Sequence, residues 1–222
     1  IGTDPSSTTS TAQYNVAVGT TALDSITTGV QNVAIGHNAM TSMTMGLQNV
    51  AIGADALKNS TGSGNVAIGR AAAQDTTIGV GNIAIGNACF MKNEIGQENT
   101  YVGDGAGHRS LNNGNVGIGH AALSNNIAYF ITAVGSKSLV NNTTGNHNTA
   151  LGSFTLEKNT TANENTAVGY QALKESTGGG SNTALGSFAL TKNTTGDSNV
   201  AIGYNALTAL TTSQQNIAIG NS

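Results

Sequence analysis

The chain has 222 residues, of which only 9% are charged and 4% aromatic, with no Trp, one Pro, one Cys and a formal net charge of −3 at pH 7. Average usage is roughly 25% charged, and so slight an acidic balance excludes a nucleic-acid footprint and a polybasic membrane contact. A single cysteine excludes an internal disulfide and a Cys-rich metal site, and no apolar run approaches the roughly 20 residues of a membrane span.

Residues 1–14 read as a partial, irregular leading coil, because Ile1-Gly2 stands 17 residues before Val18-Gly19. From residue 15 to 220 one motif recurs, first as Asn15-Val16-Ala17-Val18-Gly19 and then as NVAIG at 32–36, 49–53, 65–69 and 199–203. Its Gly falls at Gly19, Gly36, Gly53, Gly69, Gly86, Gly103, Gly119, Gly135, Gly152, Gly169, Gly186, Gly203 and Gly220, always 16 or 17 residues apart. Four residues before it stands Asn15, Asn32, Asn49, Asn65, Asn82, Asn99, Asn115, Asn148, Asn165, Asn182, Asn199 or Asn216, with Ile131 as the exception. A fixed period of this kind is the mark of a stacked repeat.

Between Asn and Gly lies an alternating triplet such as Val33-Ala34-Ile35 or Thr183-Ala184-Leu185. Alternation with period two predicts a strand. The apolar pair after the Gly, as in Ala22-Leu23, Ala39-Met40 or Cys89-Phe90, predicts a second short strand. A polar turn follows, often Thr-Thr-Gly as at 27–29, 143–145 and 194–196. The Gly and Asn columns forbid a helix.

The array turns irregular over 99–131. Tyr101 replaces the small middle residue, Gly107 replaces the Leu, and 125–131 substitutes apolar and aromatic residues for the polar turn. Tyr101, Ile127, Tyr129 and Phe130 form a candidate contact patch on a polar surface; the alternative is that Phe130 and Ile131 turn inward. Asn216–Gly220 begins a coil that stays incomplete, 221–222 is an open end, and the chain opens on Ile rather than Met. Those ends read as a piece of a longer protein.

The expected fold is all-β: a parallel β-solenoid, or β-roll, of about 13 coils with neighbouring strands about 4.8 Å apart and a length of about 55–60 Å. The Gly column suits a corner with positive φ, and the Asn column suits a ladder of stacked amides. The first and third strand residues are expected to point inward with the Leu of the second strand. The Ala column is then expected outward, where small side chains let another surface approach. That arrangement predicts side-by-side association, most simply a parallel homotrimer; the alternative is that Ala lines a tight corner.

Little in the chain carries chemistry. No Ser/His/Asp set or recurring carboxylate pair stands out, and no cofactor or metal is implied. His37 and His120 both follow a motif Gly but lie five coils apart. Glu94, Glu98 and Asp104 lack calcium-loop spacing. Asn59, Asn142, Asn159 and Asn193 occupy N-x-[ST] sequons in the turns, where glycans attach in a secreted eukaryotic protein.

The motif N-[VT]-A-[IVL]-G-x-x-A-L, clearest in NTALGSFTLEKNTT (148–161) and NTAVGYQALKESTGGGSNTALGSFALTKNTTGDSNVAIGYNAL (165–207), resembles repeats of bacteriophage tail fibres and related virion fibre proteins. It is also similar to the head repeats of trimeric autotransporter adhesins. The resemblance implies a fibrous, trimeric, extracellular or virion-surface protein that contacts a cell-surface receptor or glycan. The reading is a structural or adhesive fibre segment and not an enzyme. A filament subunit stacking end to end on copies of itself is the alternative. A lesser one is an ice-binding solenoid, for which Thr recurs at 28, 144, 161, 195 and 212 but fails at Ile78, Ile95, Asn112 and Ala128.

Overall fold

The computed structural model describes residues 11–221; most of the leading coil expected over 1–14 lies outside them. Contacts divide the chain into two compact units, Ile1–Asn113 and Gly114–Ser222. Each unit is a stack of coils, and each coil contributes one three-residue parallel strand. The first holds β1 (Val16–Val18), β2 (Val33–Ile35), β3 (Val50–Ile52), β4 (Val66–Ile68), β5 (Ile83–Ile85) and β6 (Thr100–Val102). The second holds β7 (Val116–Ile118), β8 (Thr132–Val134), β9 (Thr149–Leu151), β10 (Thr166–Val168), β11 (Thr183–Leu185), β12 (Val200–Ile202) and β13 (Ile217–Ile219). β-Branched residues favour this pleated backbone, and within each unit every strand pairs with its sequence neighbours. The chain is thus an all-β, parallel β-solenoid.

Register survives the 16-residue coils. Val50 pairs with Val66 and Ala51 with Ala67, just as Val33 pairs with Val50 and Ala34 with Ala51 across a 17-residue coil. The shorter coil drops one exposed turn residue, so that Gly46 stands beside Gly62 as Gly29 stands beside Gly46.

The strand faces are the reverse of the sequence expectation. Ala34, Ala51, Ala67, Ala84, Ala133, Ala150, Ala167, Ala184 and Ala201 are fully buried, whereas Ile35, Ile52, Ile68, Ile118, Leu151 and Leu185 are exposed. The coil is too narrow to admit a large side chain opposite the second apolar column, so the small residue points inward and the β-branched pair faces out. With Ala34 come Ala39, Met40 and Met43 of the same coil, all at 0% exposure. The Ala column therefore presents no outer surface to a neighbour.

The second strand is also corrected. The segment after each Gly is a run of turns. Its alternate residues take positive φ, as in Asn38 (57°) and Met40 (52°), Asp55 (59°) and Leu57 (47°), or Phe188 (62°) and Leu190 (52°). Left-handed backbone costs an L-residue roughly 1–2 kcal/mol, so neighbouring coils must impose it. Asn38 N donates back to the Thr20 carbonyl (3.0 Å), and Met40 N donates forward to the Ala56 carbonyl (3.0 Å). Each turn is thereby bonded to the coils on both sides, and the Leu column enters the core without being a strand.

Candidate functional site

At the corners, the motif glycines hold φ values from 130° to 141°, a region closed to other residues. At Gly152 a Cβ would stand 2.5 Å from the Gly169 carbonyl oxygen of the next coil. Backbone passes over backbone there with no room for a side chain.

Beside the corners runs the Asn column, buried within the stack. Asn32 Nδ2 donates to Asn15 Oδ1 (3.1 Å) and to the Gly46 carbonyl (2.8 Å), while its Oδ1 accepts from Asn49 N (3.0 Å) and Asn49 Nδ2 (3.1 Å). One amide thus uses two donors and two acceptor sites. The same geometry recurs in the second unit at Asn182, between Asn165, Asn199 and the Gly196 carbonyl. The glycine carbonyls it reaches belong to a second small-residue column, Gly29, Gly46, Gly62, Gly79 and Gly96, three positions before each Asn.

A further buried polar column escaped the sequence reading. It contains Ser60, Thr76, Asn93 and Ser110 in the first unit and Asn126, Asn142, Asn159, Ser176 and Asn193 in the second. Asn159 Nδ2 donates to Asn142 Oδ1, and Asn142 Nδ2 to Asn126 Oδ1, each at 2.7 Å. The signal was a polar residue seven positions after nine of the motif glycines, with Ile26, Met43 and Leu210 at the same position in the other coils, hidden because neighbouring turn residues are polar too. Of the four sequon asparagines singled out above, Asn142, Asn159 and Asn193 belong to it. Their amides are fully buried, which closes them to glycosylation in the folded chain. The fourth, Asn59, is half-buried and donates to Asp75 Oδ1 at 2.8 Å.

The irregular stretch divides in two. Tyr101 does not join a surface patch. It is fully buried, stacks on Phe90 with ring centroids 4.9 Å apart, and its hydroxyl bonds Ser110 Oγ at 2.6 Å. Gly107 makes room: a Cβ there would lie 2.6 Å from the Tyr101 ring. Beside it Cys89 Sγ donates to the Tyr101 carbonyl at 3.3 Å, and burial pushes the thiol up to about 12.

In the second unit Ile127, Tyr129 and Phe130 are exposed, while Ile131 is buried. Phe130 stacks parallel to the His147 ring at 5.8 Å, and Tyr129 lies 6.3 Å from Phe130. Ile131 fills the Asn position with an apolar side chain. The Gly145 carbonyl that an Asn there would bond is taken instead by Asn142 Nδ2 at 3.0 Å.

Two surfaces remain. One is the outward sheet face of each unit, a file of Val, Ile, Leu and Thr side chains; Ile35, Ile52 and Ile68 are 36–38% exposed, and Ile118, Leu151 and Leu185 are 37–45% exposed. The other is an aromatic row in the second unit. Phe154, Tyr170, Phe188 and Tyr204 stand on consecutive coils just after the corner Gly, edge to face at 6.0, 5.4 and 5.9 Å. Lys137 Nζ caps the row 5.8 Å from the Phe154 centroid.

Among the described residues no group of three or more His, Cys, Asp or Glu is placed to hold a metal ion, and no helix is long and apolar enough to cross a membrane. His37 and His120 fall in different units and both sit exposed after a corner Gly. No protein-family model, curated protein or solved structure matches the chain.

Proposed function

We propose that the chain is a structural segment of an extracellular or virion-surface fibre, in which three parallel copies lie side by side through their outward sheet faces. The observation that carries this reading is the exposed file of Ile, Val and Leu on strand after strand. A contiguous apolar face marks an interaction surface. Its period is that of the coil itself, and the surface with the same period is another copy in register. Three copies turn these faces toward a common axis and close the contact, as cyclic symmetry requires. The motif's likeness to fibre and adhesin repeats points the same way. In this reading the coils supply length and stiffness, and contact with a cell surface falls to side chains at the corners.

Mass in solution tests it. Sedimentation equilibrium should give about three times the 22.2 kDa chain mass. Ile52→Lys with Ile68→Lys should release monomers whose strand signal persists. A native mass of one chain would overturn the reading, and unlimited polymers would replace it with end-to-end stacking.

A further inference from the structure

The aromatic row is the feature that stacking leaves unexplained. Five Tyr and four Phe serve the whole chain, and four of those nine line one corner of four consecutive coils. The same corner elsewhere carries Thr20-Thr21, His37-Asn38, Arg70-Ala71 or Asp104-Gly105, so the corner does not itself demand a ring. Nor does the outward sheet face, which runs on through coils that lack the row.

The row has an internal order. Phe154 and Phe188 are half-buried, whereas Tyr170 is 43% and Tyr204 53% exposed. Neighbouring rings are held within 5° of perpendicular, so Phe188 holds Tyr170 and Tyr204 apart and Phe154 backs Tyr170 from the other side. Coils step by about 4.8 Å, which sets Tyr170 and Tyr204 about 9.6 Å from each other. That separation is of the order of two sugar units in an extended chain. The flanking groups are neutral and polar: Ser153, Gln171 and Ser187. Gln171 Nε2 donates to the Tyr170 hydroxyl at 2.9 Å, which leaves that hydroxyl its own proton to donate outward. Lys137 is set over the Phe154 ring at the end of the row, and Lys174 is paired with Glu157 at 3.6 Å.

We propose that this row is a docking strip for an extended, neutral, β-1,4-linked glycan, which lays the C–H faces of alternate sugars on Tyr170 and Tyr204 and hydrogen-bonds the flanking hydroxyl and amide groups. An aliphatic protein partner would call for a broader apolar patch, and an acidic glycan for more than one cation. Ring faces carry partial negative charge, which suits the polarised C–H bonds of a pyranose. The inference deepens the fibre reading by naming what the shaft contacts; it rests on that reading only for the exposure of the corner in the assembled fibre.

Cellohexaose and chitohexaose are the probes, titrated into the full chain by calorimetry and by tyrosine emission, which no Trp obscures. Saturable binding of at least one is expected. Tyr170→Ala with Tyr204→Ala should weaken it about tenfold or more, and the Tyr→Phe pair should retain it, with solution mass and melting unchanged in both. Absence of saturable binding to either oligosaccharide overturns the proposal, as does equal affinity in the Ala pair. Should the Ala pair lower the solution mass, the row is a contact between copies and the proposal falls while the fibre reading stands.

Discussion

Tyr101 and Phe130 both place a ring where most coils carry something small or polar, yet Tyr101 is wholly buried and Phe130 is 62% exposed. The column decides. Tyr101 stands at the middle of β6, the position that points into the coil, so the interior must be rebuilt around it. Gly107 gives up a side chain and Phe90 supplies a stacking face. Phe130 stands just before the Asn position, where φ is positive (55°) and the side chain leaves the coil. There it needs only a neighbour to lean on, His147. A solenoid therefore accepts large residues cheaply on its turns, and inside only by paired exchange.

That contrast can be broken experimentally. Tyr101→Ala should cost about 3–5 kcal/mol, the range for emptying an aromatic site in a core, read by chemical denaturation. Gly107→Leu should cost about 1–3 kcal/mol by overpacking against the ring. The double variant rebuilds the regular Ala/Leu coil and should cost clearly less than the sum. The Leu column already adopts the same left-handed backbone, with Leu123 at φ 54° against 59° for Gly107. Strict additivity would show that the two positions are independent.

The second irregular coil offers a sharper pair. Asn142→Ala removes the amide that serves the Gly145 carbonyl, and Ile131 cannot replace it; the expected loss is about 2–3 kcal/mol. Asn193→Ala should cost only about 1 kcal/mol, because Asn182 Nδ2 also reaches the Gly196 carbonyl, at 2.8 Å. Equal losses would mean that the shared carbonyl does not matter.

A further effect concerns pH and is confined to the alkaline range. Cys89 ionises near 9.0 in the unfolded chain and near 12 when folded. A raised folded value stabilises the protein below the lower figure, and that contribution is lost as pH climbs from 9 toward 12, by about 1.4 kcal/mol per pH unit. Cys89→Ala, which copies Ala39 and Ala56 of other coils, should flatten that part of the stability profile relative to the native chain. Smallest of all, Phe130→Ala should change stability by no more than about 0.5 kcal/mol, with an unaltered melting curve as the check.

The period, the strand positions and the stacked columns were legible because each depends on residue spacing alone. Which way the strand faced was not. Val33-Ala34-Ile35 is apolar on both sides, so alternation locates a strand without naming its inner face, and a narrow interior had to decide in favour of Ala34. The stretch Asn38–Met40 was unreadable for a different reason. Propensity gives no warning of Met at positive φ, because the hydrogen bonds that hold it there belong to the preceding and following coils. Tyr101 was visible as an anomaly, as was Gly107, but only their contact explains either. The buried amides of Asn142 and Asn159 looked like solvated turn residues, since nothing in a polar run tells which member points inward.

The turn that bonds backward through Asn38 and forward through Met40 has a kinetic consequence. Every bond it makes to another coil closes a loop of about one coil, so no long-range search is needed to extend a stack. The difficult event is the first pairing of two coils, after which each added coil meets a finished template. Folding should thus travel like a zipper from wherever it nucleates, and lengthening such a chain by whole coils should leave the time per step unchanged.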